Sequence, residues 1–377
     1  MLMSFEQEFA KIEERYNTGE HICKRKALVD RLSQRPLAIF GCGGYGTRVY
    51  NTLVELGIEV SCFVDNFKTG YFQQTRVPIV SPKVVKEDYS KANIIIATLA
   101  PEKQLRLQLL SLGIDEKQIF GFDVAYALQK DLPSERIQVS LSEMRAMLKQ
   151  YEAAFDLYQD ENSKRIVLDR IKTYLFRAEF SSYESSDETY FPKQITFTDT
   201  EVFIDAGLYT GDTVERFIRK VEGNYEHIYG FDIDPKNLSE ARVNLSKYRN
   251  ITIIEQGLSD SITSSKANLG LGMGSNLSED ALDTVNLTTL DQFFMDLGEN
   301  AKKPTFIKMD IEGAELCALK GARDIISKHK PKLAISAYHK PEDMYELPFI
   351  IKEMNPNYKL MLKHYSRYMW ETVLYAY

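Results

Sequence analysis

The stretch Glu201-Val-Phe-Ile-Asp205-Ala-Gly207-Leu-Tyr-Thr-Gly211-Asp-Thr213 has the pattern of a buried strand that ends in a carboxylate and runs into a glycine turn. An apolar face at helical spacing follows. Residues 228–231 form a second apolar segment that ends in an acid, Asp232, and residues 251–255 form a third. Short apolar strands separated by helices predict a parallel sheet with both faces covered.

Ligands of such sheets bind outside the carboxyl ends of the strands. The first turn is not G-x-G-x-x-G, so an adenosyl ligand without a phosphate cradle, such as S-adenosylmethionine, fits better than a dinucleotide. Asp232 is placed to accept hydrogen bonds from ribose hydroxyls. For any one of these acids, a helix N-cap or a solvated loop is the alternative. The expected cofactor-binding residues are Asp205, Gly207, Gly211, Asp212, Asp232 and Ser259.

A later strand contains Phe306-Ile-Lys308-Met-Asp310, in which the lysine and the aspartate share one face. A buried lysine is costly unless a carboxylate pairs with it, so Lys308 either serves the chemistry or ties strands together. His339 ends the next strand and has an ordinary pKa suited to taking a proton. We expect His339, Asp310 and Lys308 to be the catalytic residues.

Asp310, Glu312, His339 and His364 suggest a metal site as an alternative, because carboxylate and imidazole suit several divalent ions. Their spacing alone does not show that they converge, and we expect no metal. His364 is as easily structural as functional. Glu371, at the start of the last strand, either faces the pocket or is an exposed carboxylate.

Over residues 138–377 the sequence resembles the FkbM-type S-adenosylmethionine-dependent methyltransferases. That resemblance implies a class I methyltransferase fold and, usually, a hydroxyl acceptor. One departure is Asp232, where many members have Glu before a Pro. The stretches that carry the resemblance are residues 190–192, 205–213, 231–235, 272–275, 306–315, 322, 331–340, 363–365 and 371–376.

The N-terminal part contains Gly41-x-Gly43-x-x-Gly46 between a strand and a helix, and Asp65 follows 19 residues later. This is the context of a dinucleotide fingerprint. Together with residues 77–82 it resembles the small Rossmann-like domains of polysaccharide-biosynthesis enzymes. A second nucleotide site, for a nucleotide sugar or a dinucleotide, is one interpretation. A purely structural domain is the other, since no Tyr-x-x-x-Lys follows.

The organisation we predict is α/β, with two doubly wound Rossmann-like domains joined by a helical segment. Residues 1–33 are expected to be helical and residues 34–130 to form the first domain. Residues 131–194 are expected to be a helical linker, and residues 195–377 the methyltransferase domain. The 377-residue length suits two such domains.

The net charge of −7 is unevenly placed: residues 1–134 carry 17 basic and 16 acidic side chains, against 30 and 38 in the rest. An acidic C-terminal part disfavours a nucleic-acid partner. The four cysteines, Cys23, Cys42, Cys62 and Cys317, contain no C-x-x-C pair and indicate reduced thiols. We expect a cytoplasmic protein without a membrane span. A homo-oligomer is possible.

The function we expect is methyl transfer from S-adenosylmethionine to an acceptor hydroxyl, on a sugar or a glycan precursor. One alternative is an NAD(P)- or nucleotide-sugar-binding, sugar-modifying enzyme that uses the N-terminal domain. The other is a non-enzymatic ligand-sensing protein.

Overall fold

The computed structural model describes residues 3–73, 75–98, 102–128, 139–177, 180–270, 275–278 and 280–377. The chain divides into two compact units. One comprises Met1–Ala10 and Val139–Tyr377, and the other comprises Lys11–Gln138. Parts of two expected features, residues 131–138 of the linker and residues 272–274 of the 272–275 stretch, lie outside the described residues.

The first part of the chain alternates strands and helices after two N-terminal helices. Its elements are α1 (Phe5–Asn17), α2 (Glu20–Leu32), β1 (Leu37–Phe40), α3 (Gly44–Glu55), β2 (Val60–Val64), β3 (Gly70–Tyr71), β4 (Pro78–Val80), α4 (Pro82–Asp88), β5 (Asn93–Ile96), α5 (Glu102–Ser111), a 3₁₀ turn (Glu116–Gln118), β6 (Ile119–Phe120) and α6 (Phe122–Leu128).

The sheet of the Lys11–Gln138 unit has the order β3-β4-β2-β1-β5-β6. Every neighbouring pair is parallel except β3 and β4. All residues of β1 and β5 are buried, as expected for central strands covered on both faces. One cluster of its core includes Ala38, Phe40, Cys62, Val64 and Ile94.

The elements of the other unit continue the chain. They are α7 (Leu141–Ala146), α8 (Leu148–Leu157), α9 (Glu161–Phe176), a 3₁₀ turn (Ser186–Glu188), β7 (Val202–Ala206), α10 (Asp212–Lys220), β8 (His227–Asp232), α11 (Pro235–Leu245), β9 (Ile251–Glu255), β10 (Gly257–Leu258), β11 (Thr263–Asn268), β12 (Asn276–Leu277), β13 (Asp283–Thr288), α12 (Leu290–Leu297), a 3₁₀ turn (Gly298–Asn300), β14 (Phe306–Met309), α13 (Glu315–Lys320), α14 (Arg323–His329), β15 (Lys332–Ser336), α15 (Asp343–Met354), β16 (Leu360–His364) and β17 (Thr372–Ala376).

The large sheet has the order β16-β17-β15-β14-β7-β8-β9, and only β17 runs antiparallel to its neighbours. The chain moves outward from β7 through β8 to β9 and returns to β14 on the other side of β7. The strand order therefore reverses between β7 and β14, and the carboxyl ends of these two strands frame the expected ligand crevice. A smaller sheet has the order β10-β13-β11-β12. The predicted α/β class with parallel sheets is confirmed.

Helices α7 to α9, which we expected to link two domains, belong to the larger unit. Their polar side chains bond the backbone around the last strands. The Tyr151 hydroxyl donates to the Pro341 carbonyl at 2.7 Å, and the buried Arg170 guanidinium donates to the Met369 carbonyl and the Thr372 hydroxyl. The Arg170 contacts hold the segment before β17 in place, and the Tyr151 contact holds the loop after β15. No helix among the described residues combines the length and apolarity needed to cross a bilayer.

Candidate active site

A buried ion pair joins the two central strands at the crevice. The Lys308 ammonium of β14 lies 2.8 Å from Asp205 Oδ1 of β7, and it also donates to the carbonyls of Ala206 at 3.2 Å and Gly207 at 2.8 Å. An ammonium has three donors, so these three acceptors use all of them. Burial opposes the charge, but the carboxylates of Asp205 and Asp310 outweigh it and raise the pKa of Lys308. Lys308 therefore ties the ends of β7 and β14 together, which is the structural alternative of the sequence analysis.

Asp205 is the other half of this pair and is completely buried. Burial raises the pKa of its carboxyl to about 6, although the Lys308 ammonium acts in the opposite direction. Its second oxygen, Oδ2, has no hydrogen-bond partner among the described residues. Such an orphaned atom is rare in a native core and marks a site where a ligand or water is expected.

The glycine turn after β7 lies against the end of β14. Gly207 has φ +82°, and a Cβ there would overlap the Asp310 carbonyl oxygen, so only glycine fits. The amides of Gly207 and Leu208 both donate to the Phe231 carbonyl at 2.9 Å. The turn is thereby fixed between β14 on one side and β8 on the other.

Asp232 ends β8 and bonds this turn with its side chain. Its Oδ2 accepts the Tyr209 amide at 2.7 Å, and its Oδ1 accepts the Asp234 amide at 2.9 Å. Burial raises the pKa of the Asp232 carboxyl. Each carboxylate oxygen has two lone pairs, so both oxygens can still accept a further hydrogen bond.

The other expected cofactor-binding residues are Gly211 and Asp212, at the start of α10, and Ser259, after β10. Gly211 has φ +85° and caps α10, whose first residue is the exposed Asp212. Ser259 follows β10, where its amide donates to the Thr288 carbonyl and its hydroxyl to Asp260. Among the described residues, no hydrogen bond or ion pair connects Ser259 with Asp205 or Asp232.

Asp310 follows β14 and is held by two tyrosine hydroxyls. Tyr190 donates to Oδ2 at 2.7 Å and Tyr338 donates to Oδ1 at 3.1 Å. Burial opposes ionisation, but the Lys308 ammonium, His339 and the Tyr190 hydroxyl together lower the pKa of the Asp310 carboxyl. Its side chain is still 23% exposed, so it is an ionised carboxylate that a ligand can reach.

His339 lies between carboxylates on both sides of its ring. Nδ1 is 3.1 Å from Glu315 Oε1, while Nε2 is 3.6 Å from Asp310 Oδ1 and 3.7 Å from Glu312 Oε2. Burial lowers the pKa of the imidazole, but Glu315, Asp310 and Glu312 outweigh it and raise that pKa to about 10. This favours an imidazolium at neutral pH instead of the neutral base that we expected.

His364 does not join this group. It is buried, its Nδ1 lies 2.7 Å from Thr372 Oγ1, and its ring stacks on Phe180 with 3.4 Å between centroids. Burial and the Arg170 charge hold its pKa well below the usual value. His364 is a neutral core residue. Glu371 is partly buried, and burial together with the Asp310 charge raises its pKa to about 7.

Sequence reasoning did not assign roles to Tyr190, Glu315 or Asp234. Tyr190 and Glu315 contact the catalytic candidates, whereas Asp234 accepts the Gly270 amide and the Ser275 hydroxyl at 2.7 Å each. A signal for all three was present, because each lies in a stretch that carries the resemblance. Spacing alone did not connect them with Asp310 or with Asp232.

The expected second nucleotide site lies in the Lys11–Gln138 unit. Gly41 has φ +108°, and Gly46 must be glycine because a Cβ there would overlap the Gly41 carbonyl. A Cβ on Gly43 would meet nothing within 4 Å. Asp65 uses one oxygen to accept the Phe67 and Lys68 amides at 2.9 and 3.0 Å, and the other oxygen lies 3.0 Å from Cys42 Sγ.

Comparisons with known proteins agree with the fold described above. A family model described as the methyltransferase FkbM domain matches residues 205–360. The crystal structure of methyltransferase FkbM from Methylobacillus flagellatus KT is 23% identical, with a TM-score of 0.68 over 98% of this chain and 99% of that one. At that identity, the likeness shows the fold.

Two further solved structures match about half of the chain. Fibrillarin from Aeropyrum pernix, with natively bound S-adenosyl-L-methionine, is 12% identical over 48% of this chain and 70% of that one, with a TM-score of 0.31. A methyltransferase from Aquifex aeolicus is 15% identical over 50% and 90%, with a TM-score of 0.30. TM-scores this low carry no argument about this chain. No curated protein matches the sequence. Residues 205–360 are therefore similar to the methyltransferase FkbM domain.

Proposed function

We propose that this protein transfers a methyl group from S-adenosylmethionine to a hydroxyl of a sugar or glycan precursor. One observation carries the proposal: the main chain of Asp310, a residue with an ionised carboxylate, lies against the glycine turn. A Cβ on Gly207 would overlap the Asp310 carbonyl, and the carboxylate itself is 23% exposed. A donor at the turn and an acceptor at Asp310 would therefore be neighbours.

The donor half is supported by the chemistry of the turn. S-adenosylmethionine supplies an electrophilic methyl on a sulfonium. Asp232 offers two carboxylate oxygens with unused lone pairs, which suit the paired hydroxyls of a ribose. The Asp205 Oδ2 atom without a hydrogen-bond partner also fits a ligand of this kind. So does the glycine pattern of the turn, which is not the G-x-G-x-x-G of a phosphate-binding loop.

The acceptor half follows from the protonation states. Asp310 stays ionised at neutral pH and can take the hydroxyl proton as the oxygen becomes bonded to carbon. His339 faces Asp310 at 3.6 Å, and the hydroxyls of Tyr190 and Tyr338 fix the carboxylate in place. Holding donor and acceptor in line supplies much of the acceleration of such a displacement. Lys308 acts indirectly, by fixing the ends of β7 and β14.

The test is transfer of an isotope-labelled methyl group from S-adenosylmethionine to a panel of sugars and glycan intermediates. We expect a labelled product bearing an ether-linked methyl, formed by the wild type and by Glu255→Gln but not by Asp310→Asn. Glu255 is a matched control, because it ends β9 at the same sheet edge and is 52% exposed. Saturable donor binding without transfer to any hydroxyl would favour a ligand sensor, and a nicotinamide absorbance change would favour the sugar-modifying alternative.

For the Lys11–Gln138 unit we propose a phosphate-containing ligand, either a nucleotide sugar or a dinucleotide, at Gly41, Gly43 and Gly46. The observation that favours this is the open space at Gly43, at the N-terminus of α3. The N-terminus of a helix presents backbone amides and the positive end of the helix dipole, and both favour a phosphate.

A further inference from the structure

Three carboxylates surround His339 at the carboxyl ends of β14 and β15. One ligand atom each from Asp310, Glu315 and His339 lie within 4.8 Å of one another. Glu312 adds a fourth group, 3.7 Å from His339 Nε2. Ligands of one divalent ion, bound at about 2.0–2.2 Å, lie roughly 3–4 Å apart. The distance from Nδ1 to Glu315, 3.1 Å, and those from Nε2 to Asp310 and Glu312, 3.6 and 3.7 Å, each fall in that range, and an ion would use one of the two nitrogens.

Three atoms of this cluster are buried and unsatisfied. The His339 side chain is only 10% exposed, and neither of its nitrogens makes a hydrogen bond of good geometry to a described residue, although carboxylate oxygens lie 3.1–3.7 Å away. The wholly buried Glu315 leaves its Oε2 in the same condition. Buried polar atoms without partners are costly, and in native proteins they indicate an unrecorded ion or water. Here they belong to side chains that face one another.

The cluster is also rich in carboxyl groups. The buried Asp343 carboxyl lies in the field of Glu315 and His339. The Lys308 ammonium is fully used by Asp205 and two carbonyls, and the Lys340 ammonium bonds the Gly313 carbonyl. We propose that Asp310, Glu315 and His339 bind a divalent cation, which displaces a proton from the His339 imidazolium into solvent, with Glu312 at its more exposed side.

The donor set limits which cation fits. One imidazole and several carboxylates suit ions such as Mn²⁺ or Zn²⁺ better than the all-oxygen preference of Ca²⁺ or Mg²⁺. An ion held by Asp310 would lie where an acceptor hydroxyl approaches, and it would favour the ionised hydroxyl. This consequence rests on the proposed function, whereas binding of the ion does not.

The experiment is a titration of the full chain, freed of metal by a chelator, with Mn²⁺. Free Mn²⁺ is measured by electron paramagnetic resonance. We expect one saturable equivalent, a rise in Tm on binding, and at least a tenfold loss of affinity in both His339→Ala and Glu312→Gln. Glu312→Gln is included because this side chain is 31% exposed and its change does not disturb the core. Glu255→Gln should bind like the wild type.

Absence of saturable Mn²⁺ binding would overturn the proposal, as would unchanged affinity in both His339→Ala and Glu312→Gln. Methyl transfer is assayed separately with and without the chelator. Saturable Mn²⁺ binding without methyl transfer would support the metal site and contradict the proposed function. If Mn²⁺ binds saturably but the rate of methyl transfer is the same with and without the chelator, the metal site is supported and its catalytic consequence is contradicted.

Discussion

The two glycine turns of this protein, after β1 and after β7, have the same local design. In each turn one glycine lies so close to a carbonyl oxygen that a Cβ would overlap it: Gly46 against Gly41, and Gly207 against Asp310. In each case an acid ends or follows the second strand, Asp65 or Asp232.

The difference lies in the strand on the other side. Beside β1 is β5, whose residues Ile94–Ile96 are apolar and buried, whereas beside β7 is β14 with Lys308 and then Asp310. Both acids bond their own following loop and also the glycine turn before them: Asp65 accepts from the Cys42 thiol, and Asp232 accepts from the Tyr209 amide. Similar glycine turns therefore lie beside an apolar strand in one unit, and beside a strand with Lys308 and Asp310 in the other. Function depends on the side chains placed on the fold.

The largest expected effect comes from removing the Asp310 carboxylate, which has no counterpart on the strand beside the turn after β1. Asp310→Asn should lower methyl transfer by about 10²–10⁴-fold, because the acceptor proton loses its base. Donor affinity should change little. Steady-state rates and calorimetry with S-adenosylmethionine measure the two separately. A collapse of donor affinity together with the rate would make Asp310 a binding residue, and Glu255→Gln controls for loss of charge at the same edge.

Removing the buried ammonium tests whether the pair at β7 and β14 is structural. Lys308→Met leaves Asp205 as a buried carboxylate without its cation, and breaking such a pair costs about 3–5 kcal/mol of unfolding free energy. Urea unfolding measures this cost. The double variant Lys308→Met/Asp205→Asn should recover part of the loss, because the uncompensated charge is gone. A stable Lys308→Met with a large loss of kcat would restore Lys308 as a catalytic residue.

The donor site is probed by a matched pair of substitutions, one in each turn. Asp232→Ala should weaken S-adenosylmethionine binding by about 1–3 kcal/mol, the range for hydrogen bonds to a charged group. Asp65→Ala should leave that affinity unchanged. Calorimetry on the full chain decides the matter, and equal affinities in the two variants would remove Asp232 from the donor site.

The fold and the donor turn were predictable from sequence because both are local. Strand, glycine turn and acid follow one another within Glu201–Asp212, and their order dictates a parallel sheet. The acceptor side was not predictable in the same way, because its contacts are long-range. Tyr190 lies 120 residues before Asp310, and neither its spacing nor its polarity indicates that the two side chains meet.

The surroundings of His339 were not predictable for a related reason. A histidine at a strand end suggests a neutral base, and its ordinary pKa supports that. The outcome depends on Glu315 and Glu312, which a turn with positive φ at Glu312 and Gly313 directs at the ring. Chain periodicity does not reveal such a turn. For Lys308, sequence left two roles open, and the positions of two carbonyl oxygens favour the structural one.

A buried histidine makes the larger unit sensitive to acid. Folding lowers the pKa of His364, so the unfolded chain binds a proton that the folded chain does not. Stability is therefore complete above the unfolded pKa of about 6.5 and falls as the pH drops below it. Each pKa unit of lowering corresponds to about 1.4 kcal/mol. The unfolding free energy, measured with urea between pH 5 and pH 8, should change less with pH in His364→Gln than in the wild type. An equal pH dependence in the two proteins would mean that other groups dominate.

The smallest effect on methyl transfer is expected from the glycine turn of the Lys11–Gln138 unit. Gly43→Val should be tolerated by the fold, since φ there is −86° and a Cβ meets nothing within 4 Å. Its added methyls would instead occupy the space in front of the α3 N-terminus, where a phosphate would bind the backbone amides. Calorimetry of the full chain against nucleotide sugars and dinucleotides should show saturable binding in the wild type and none in Gly43→Val, with S-adenosylmethionine affinity equal in both. A Gly57→Ala variant, in a turn with open space and φ +71°, controls for a general effect of changing a glycine in this unit. If no ligand of the panel binds the wild type, the unit is a structural domain, and the two turns are alike only in their backbone geometry.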